Sequence, residues 1–175
     1  STTVMGSATL AGTGTVNDLV VDAGGAVSPG VANAIGTLNT TGSATFQSGS
    51  TLRVNLNPAT ASLLNVTGAA TLNGGTVQVQ AAGGTYAPNT LYTIVSTTGG
   101  VTGTFDGATI NSLFLSPTLD YSNPNLVRLL LALNANAFTR VGITPNQTAT
   151  GAAAQTLGPG NPVFSALLNV ATAAE

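Results

Sequence analysis

Hydrophobic and polar positions alternate along this chain in short runs. Leu52, Val54 and Leu56 are separated by Arg53 and Asn55, and Val77 and Val79 alternate with Thr76, Gln78 and Gln80. A period of two places one set of side chains on one face of a strand. The runs are rich in Thr and Val and are bounded by Gly, Asn, Ser and Pro, which read as short strands separated by tight corners. A five-residue block recurs as Gly6-Ser7-Ala8-Thr9-Leu10, Gly42-Ser43-Ala44-Thr45-Phe46 and Gly68-Ala69-Ala70-Thr71-Leu72, at offsets of 36 and 26 residues. Each copy runs on through a glycine-containing turn into a second strand. A further strand–turn unit, Leu19 to Val27, lies between copies.

Short strands with frequent corners describe a chain that stacks on itself. A parallel β-helix fits this pattern, and so does an antiparallel sandwich or barrel. In a β-helix, successive coils lie about 4.8 Å apart. With roughly 20–25 residues per coil, Thr3 to Leu133 would make about six.

The texture changes near Ala87. Five of the eight aromatic residues (Tyr86, Tyr92, Phe105, Phe114, Tyr121) fall within 36 residues, which calls for a wider core. Leu91 to Val95 reads as a strand, Gly99 to Phe105 as a turn and strand, Leu113 to Tyr121 as a strand pair, and Asn123-Pro124-Asn125 as a turn. Leu126 to Leu133 is also read as a strand, on its length and flanking turns. After Asn134, Thr144-Pro145-Asn146-Gln147 carries a capping box with Pro at the first helical position. A helix through Leu157 follows, stopped by Gly158-Pro159-Gly160. Asn161-Pro162 opens a second helix to about Ala173, with an apolar stripe of Val163, Phe164, Leu167, Leu168 and Val170. That stripe either packs back on the body of the domain or leads onward to a following segment.

Composition restricts the chemistry. Only 5% of residues are charged, against about 25% in an ordinary domain. The eight are Arg53, Arg128, Arg140, Asp18, Asp22, Asp106, Asp120 and Glu175; Lys, His, Cys and Trp are absent. There is thus no imidazole base, no thiol nucleophile and no nitrogen or sulfur zinc site. Three arginines and a net charge of −2 give no footprint for nucleic acid. High hydrophobicity with low charge argues against disorder. No run approaches the roughly 18 apolar residues of a membrane helix. The opening residues read as internal, so a piece of a longer protein is expected.

No catalytic, cofactor or metal site is predicted. Asp18 and Asp22 share a strand face, where a solvated or turn-capping role is expected over a metal site. Asp106, before Gly107, should close an Asx-type turn. Asp120 and Arg128 flank a turn and could pair across it, for about 0–1 kcal/mol if exposed. Arg140 would reach backbone carbonyls or a partner. Ser28 has no base to activate it.

Residues Leu10 to Leu56 contain Leu10-Ala11-Gly12-Thr13-Gly14-Thr15-Val16, then Leu19 to Gly30 with paired glycines and Ser28-Pro29-Gly30, then Ile35-Gly36-Thr37-Leu38. This order resembles the passenger-associated transport repeat of bacterial type V autotransporters. Gly103 to Gly107 with Leu113 to Tyr121 resembles the autochaperone region that ends such passengers. Ala137 to Gln147 with Gly160 to Leu168 resembles the linker before the translocator barrel. The resemblance implies an all-β, right-handed parallel β-helix with short C-terminal helices: coils over 1–86, an autochaperone-like cap over 87–134 and a linker over 135–175. It implies a structural stem that nucleates passenger folding at the cell surface. Its partners would be the translocator β-barrel and upstream coils, and its location the bacterial surface, or the extracellular space after cleavage. No enzymatic activity is expected of it. An adhesin or self-association module is the alternative, through the long uncharged faces or an exposed edge at Ser1. A β-helix polysaccharide-active enzyme is disfavoured, because the carboxylates are scattered.

Overall fold

The computed structural model describes residues 1–134, 144–157, 161–164 and 166. The chain winds through five levels. The first holds β1 (Thr2–Val4), β2 (Thr9–Gly12) and β3 (Thr15–Val16). The second holds β4 (Leu19–Val21), β5 (Ala26–Pro29) and β6 (Thr37–Thr40). The third holds β7 (Ala44–Phe46), β8 (Thr51–Leu56) and β9 (Leu63–Val66). The fourth holds β10 (Ala70–Asn73), β11 (Thr76–Ala81) and β12 (Thr90–Thr97). The fifth holds β13 (Val101–Thr104) and β14 (Gly107–Ile110), and closes with β15 (Leu115–Asp120) and β16 (Leu126–Leu133).

Like strands stack into three sheets: β1-β4-β7-β10-β13, β2-β5-β8-β11-β14, and β3-β6-β9-β12 continued by β16 and β15. Every pairing within the stacks β1-β4-β7-β10-β13, β2-β5-β8-β11-β14 and β3-β6-β9-β12 is parallel. The architecture is a parallel β-helix, as the resemblance implied, and the sandwich and barrel are excluded. At about 4.8 Å per step, the four steps between five levels span about 19 Å, not the length of a six-coil prism. The register stacks Thr2, Leu19, Ala44, Ala70 and Val101, so successive coils take 17, 25, 26 and 31 residues. The later coils are longer than assumed because the corner between the second and third sheets carries extended loops.

Alternation along each strand sends one column inward. Leu52 and Val54 are fully buried while Arg53 points out, and Val77 and Val79 do the same around Gln78. In the first sheet Val4, Val21, Phe46 and Leu72 lie over one another inside. Each large side chain so buried contributes about 1.5–3 kcal/mol. Outside, polar side chains pair up the stack: the Asn65 amide donates to Asn39 Oδ1 at 3.0 Å, and the Asn73 amide to Gln47 Oε1 at 3.2 Å. Uncharged amides thereby satisfy one another at the strand spacing, where like charges would repel.

The repeated five-residue block is only partly a structural repeat. Its second and third copies stack, with Ala44 on Ala70 and Phe46 on Leu72. Its first copy does not join them, since Thr9 and Leu10 lie in the second sheet against Ala26 and Val27. The corner before the first sheet explains the glycines of the stacked copies. A Cβ on Gly68 would come within 2.8 Å of the Gly42 carbonyl oxygen, and one on Gly99 within 2.7 Å of the Ala69 nitrogen. At the next corner Ser7, Gly24, Gly49 and Gly74 all adopt positive φ (67°, 79°, 80° and 106°).

The capping box forms as expected. The Thr144 N–H donates to Gln147 Oε1 at 3.1 Å and the Gln147 N–H to Thr144 Oγ1 at 3.3 Å, opening α1 (Pro145–Leu157). Pro162 to Phe164 are helical. Phe164 is buried with Ala154 and Phe114, against Leu133 of β16. This start of the second predicted helix therefore packs back on the end of the solenoid. Its continuation, the Gly158-Pro159-Gly160 stop and Arg140 lie outside the described residues.

Candidate functional site

The last coil differs from those before it. After β14 the chain does not begin another turn of the helix. β16 pairs antiparallel with β12, from Thr90 on Leu131 to Ser96 on Leu126, and β15 pairs antiparallel with β16, from Leu115 on Leu133 to Asp120 on Arg128. Leu113 to Tyr121, read as a strand pair, holds the single strand β15 (Leu115–Asp120), and its partner is β16. The sequence reading also missed β14, a run of four small or β-branched residues between turns.

Aromatic side chains tie this closing unit to earlier coils. Phe105 is buried and meets Phe46, two coils earlier, edge to face with ring centroids 5.3 Å apart and planes at 73°. Its N–H donates to the Tyr121 hydroxyl oxygen at 3.0 Å. The Tyr86 hydroxyl donates to the Ala82 carbonyl at 2.7 Å and lies 3.2 Å from that of Leu56; the Tyr92 hydroxyl donates to the Pro58 carbonyl at 3.0 Å. Burial pushes the Tyr86 phenol up to about 12, with Tyr92 adding to the effect. Burial also raises Tyr92 and Tyr121, the latter opposed by the N–H of Phe105. Tyr86 and Tyr92 thus hold the fourth coil to the third, and Phe105, bonded to Tyr121 of the closing unit, packs on Phe46 of the third. Apart from Ala82, four residues before Tyr86, the partners lie 16 or more residues away in sequence.

The charged residues serve the corners. Arg128 Nη2 lies 2.6 Å from Asp120 Oδ2 across the Asn123-Pro124-Asn125 turn, both side chains about a quarter exposed. The Ser122 hydroxyl donates to Asp120 and accepts from Arg128. Hydrogen bonds from Ser122, and then from Arg128, hold the Asp120 carboxyl below its usual range. Asp18 and Asp22 sit at opposite ends of β4, in different corners. Asp18 accepts the Ser43 N–H at 2.9 Å and its hydroxyl at 3.2 Å, and these bonds depress its pKa. Asp106 is a correction. Its carboxylate accepts the Gly75 N–H at 2.8 Å, from the coil below, rather than closing an Asx turn on its own backbone. The Asp106 N–H itself donates to the Gly75 carbonyl, so the two corners lock together. Ser28 lies buried in β5.

No family model matches the chain. Over 166 residues it is 34% identical to an extracellular serine protease of Serratia marcescens, an alignment that takes in 90% of this chain and 16% of that protein. The chain spans about a sixth of the relative's length. The expectation that the chain has no enzymatic activity is contradicted by this likeness, since most of the chain aligns with part of a protein named a serine protease.

Proposed function

We propose that this chain is a stem and folding template of a secreted autotransporter passenger. Its coils over 1–86 continue a solenoid, 87–134 close it, and 135–175 lead toward a translocator barrel in the same polypeptide. The observation that carries the reading is the closure of the third sheet, where β15 and β16 fold back antiparallel on β12 and Phe164 with Ala154 covers Phe114.

A third sheet closed by an antiparallel hairpin suits a chain that emerges C-terminus first. The closing hairpin and its aromatics supply a nucleus without a neighbour, and each later coil then adds to an existing edge. Likeness to an extracellular protein and the transport-repeat pattern of Leu10 to Leu56 support a surface or extracellular location. Absence of cysteine suits a chain that crosses a membrane unfolded. Self-association is a second reading, favoured by the uncharged outer rank Thr3, Val20, Thr45, Thr71 and Thr102 along the first sheet.

The test is surface display of the full-length protein carrying Phe105→Ala or Leu115→Ala, each beside a Val21→Ala control in the second coil. The two variants should lower folded, protease-resistant passenger at the surface well below the control. Equal display by all three would remove the template role.

A further inference from the structure

The outer face of the second sheet carries a groove that the stem role does not use. Two adjoining clefts of about 560 and 360 Å³ share Asn33, Asn55 and Gln80. Together they run from Thr9 in the first coil to Asn111 beyond β14, about 19 Å over four strand spacings. The segment between β5 and β6 forms one wall. It is fixed there by the buried Asn55, whose amide donates to the Ala34 carbonyl at 2.9 Å.

Some of the lining polar groups are already engaged. Asn111 Oδ1 accepts the Ala81 N–H at 2.8 Å, for example. Others are not: Asn33, Gln78, Gln80 and Arg53 make no hydrogen bond or ion pair among the described residues. Three planar amides, each a donor and an acceptor, therefore face solvent around one guanidinium. Arg128 is held by Asp120, which leaves Arg53 as the unpaired arginine of the described residues.

This lining selects a ligand class. An extended peptide binds a sheet by hydrogen-bonding an open strand edge, but β8 and β11 pair with each other along their length, and their outer sides are taken up by β5 and β14 at one end and by Ser62 on Asn55 and Asn111 on Ala81 at the other, so little strand edge is open. Nucleic acid requires a row of cations, and the groove has one. The recognition groups are side-chain amides, which suit a chain bearing its own hydroxyls, plus one guanidinium whose fork matches a carboxylate. We propose that this groove binds an extended uronate-bearing polysaccharide, with a carboxylate on Arg53 and hydroxyls on Gln78, Gln80 and Asn33.

The experiment titrates the 175-residue chain with a hyaluronan tetrasaccharide, with uncharged chitotetraose and with an acidic pentapeptide, followed by calorimetry. Hyaluronan tetrasaccharide should bind best. Arg53→Ala should weaken it about tenfold, the effect of losing a hydrogen-bonded charge, and Gln80→Leu should weaken it severalfold. Both side chains are exposed, so the fold should persist, checked by circular dichroism. Thr102→Ala on the first sheet should leave binding unchanged. The proposal is overturned by absence of hyaluronan binding at millimolar concentration, by equal binding of the peptide or of chitotetraose, or by an Arg53→Ala effect no larger than that of Thr102→Ala.

Discussion

Replacing Phe105 by Ala removes a buried ring from the closing coil and leaves its partner Phe46 facing a void. Buried Phe→Ala changes cost about 3–5 kcal/mol. Phe105 lies near the end of the solenoid, where the chain can partly collapse into the gap, so about 3 kcal/mol is expected. Of that, about 0.5–1.5 kcal/mol belongs to the edge-to-face pair and should appear as coupling in a cycle with Phe46→Ala. Equilibrium urea unfolding followed by far-ultraviolet circular dichroism measures the total. Kinetics measure when the contact forms. If the closing unit is the nucleus, most of the loss falls on the folding rate, which would drop about a hundredfold for 3 kcal/mol. Val21→Ala, in the second coil, should instead act mainly by speeding unfolding. A loss under about 1 kcal/mol would refute the packing argument. A folding-rate effect at Phe105 no larger in proportion than at Val21 would refute the nucleus.

Gly68→Ala should destabilise by roughly 1–3 kcal/mol, because its Cβ meets Gly42 backbone at 2.8 Å and backbone gives way poorly; Gly107→Ala, with nothing within 4 Å, is the control, and thermal melting separates them. The Ser50 hydroxyl is buried with no hydrogen-bond partner among the described residues, so Ser50→Ala should raise stability by about 1 kcal/mol; a lower urea midpoint would show that the hydroxyl is satisfied. The raised Tyr86 pKa sets an alkaline limit. The unfolded phenol ionises near 10 and the folded one at about 12, so the stabilisation is complete below pH 10 and is lost as pH rises toward 12. Tyr86→Phe should flatten that part of the melting profile, and an unchanged slope would mean that another group governs it.

The strands were legible because a period of two survives stacking: Leu52, Val54, Val77 and Val79 point inward as their alternation requires. The hairpin strand at Leu126 to Leu133 was legible from its length and turns. The number of coils was not. The Gly-x-Ala-Thr block reports turn chemistry, and the corners of a solenoid share turn chemistry, so a copy at Gly6 matches one at Gly42 while occupying another face. The structural counterpart of Ser43 to Leu52 is Asp18 to Val27, which shares few letters with it. Asp106 looked like a local turn former because Asp-Gly usually is one; its partner Gly75 lies a coil away in space and 31 residues away in sequence. The groove could not be read for the same reason, since its lining comes from coils whose stacking brings Thr9 and Asn111 to one face. The free amides of Gln78 and Gln80 were visible only as the polar half of an alternation.

The stacked register also bears on how such a chain can change in length. Joining Ser43 directly to Ala70 would delete 26 residues and bring β10 onto β4 with inward and outward positions preserved. A deletion one residue longer or shorter would turn the strand faces of the coil inside out. Inheritance of length here is therefore quantised: gains and losses survive as whole coils. Gradual variation is confined to the loops between the second and third sheets, where the chain already runs from Ala82 to Asn89 in one coil and only from Thr13 to Gly14 in another.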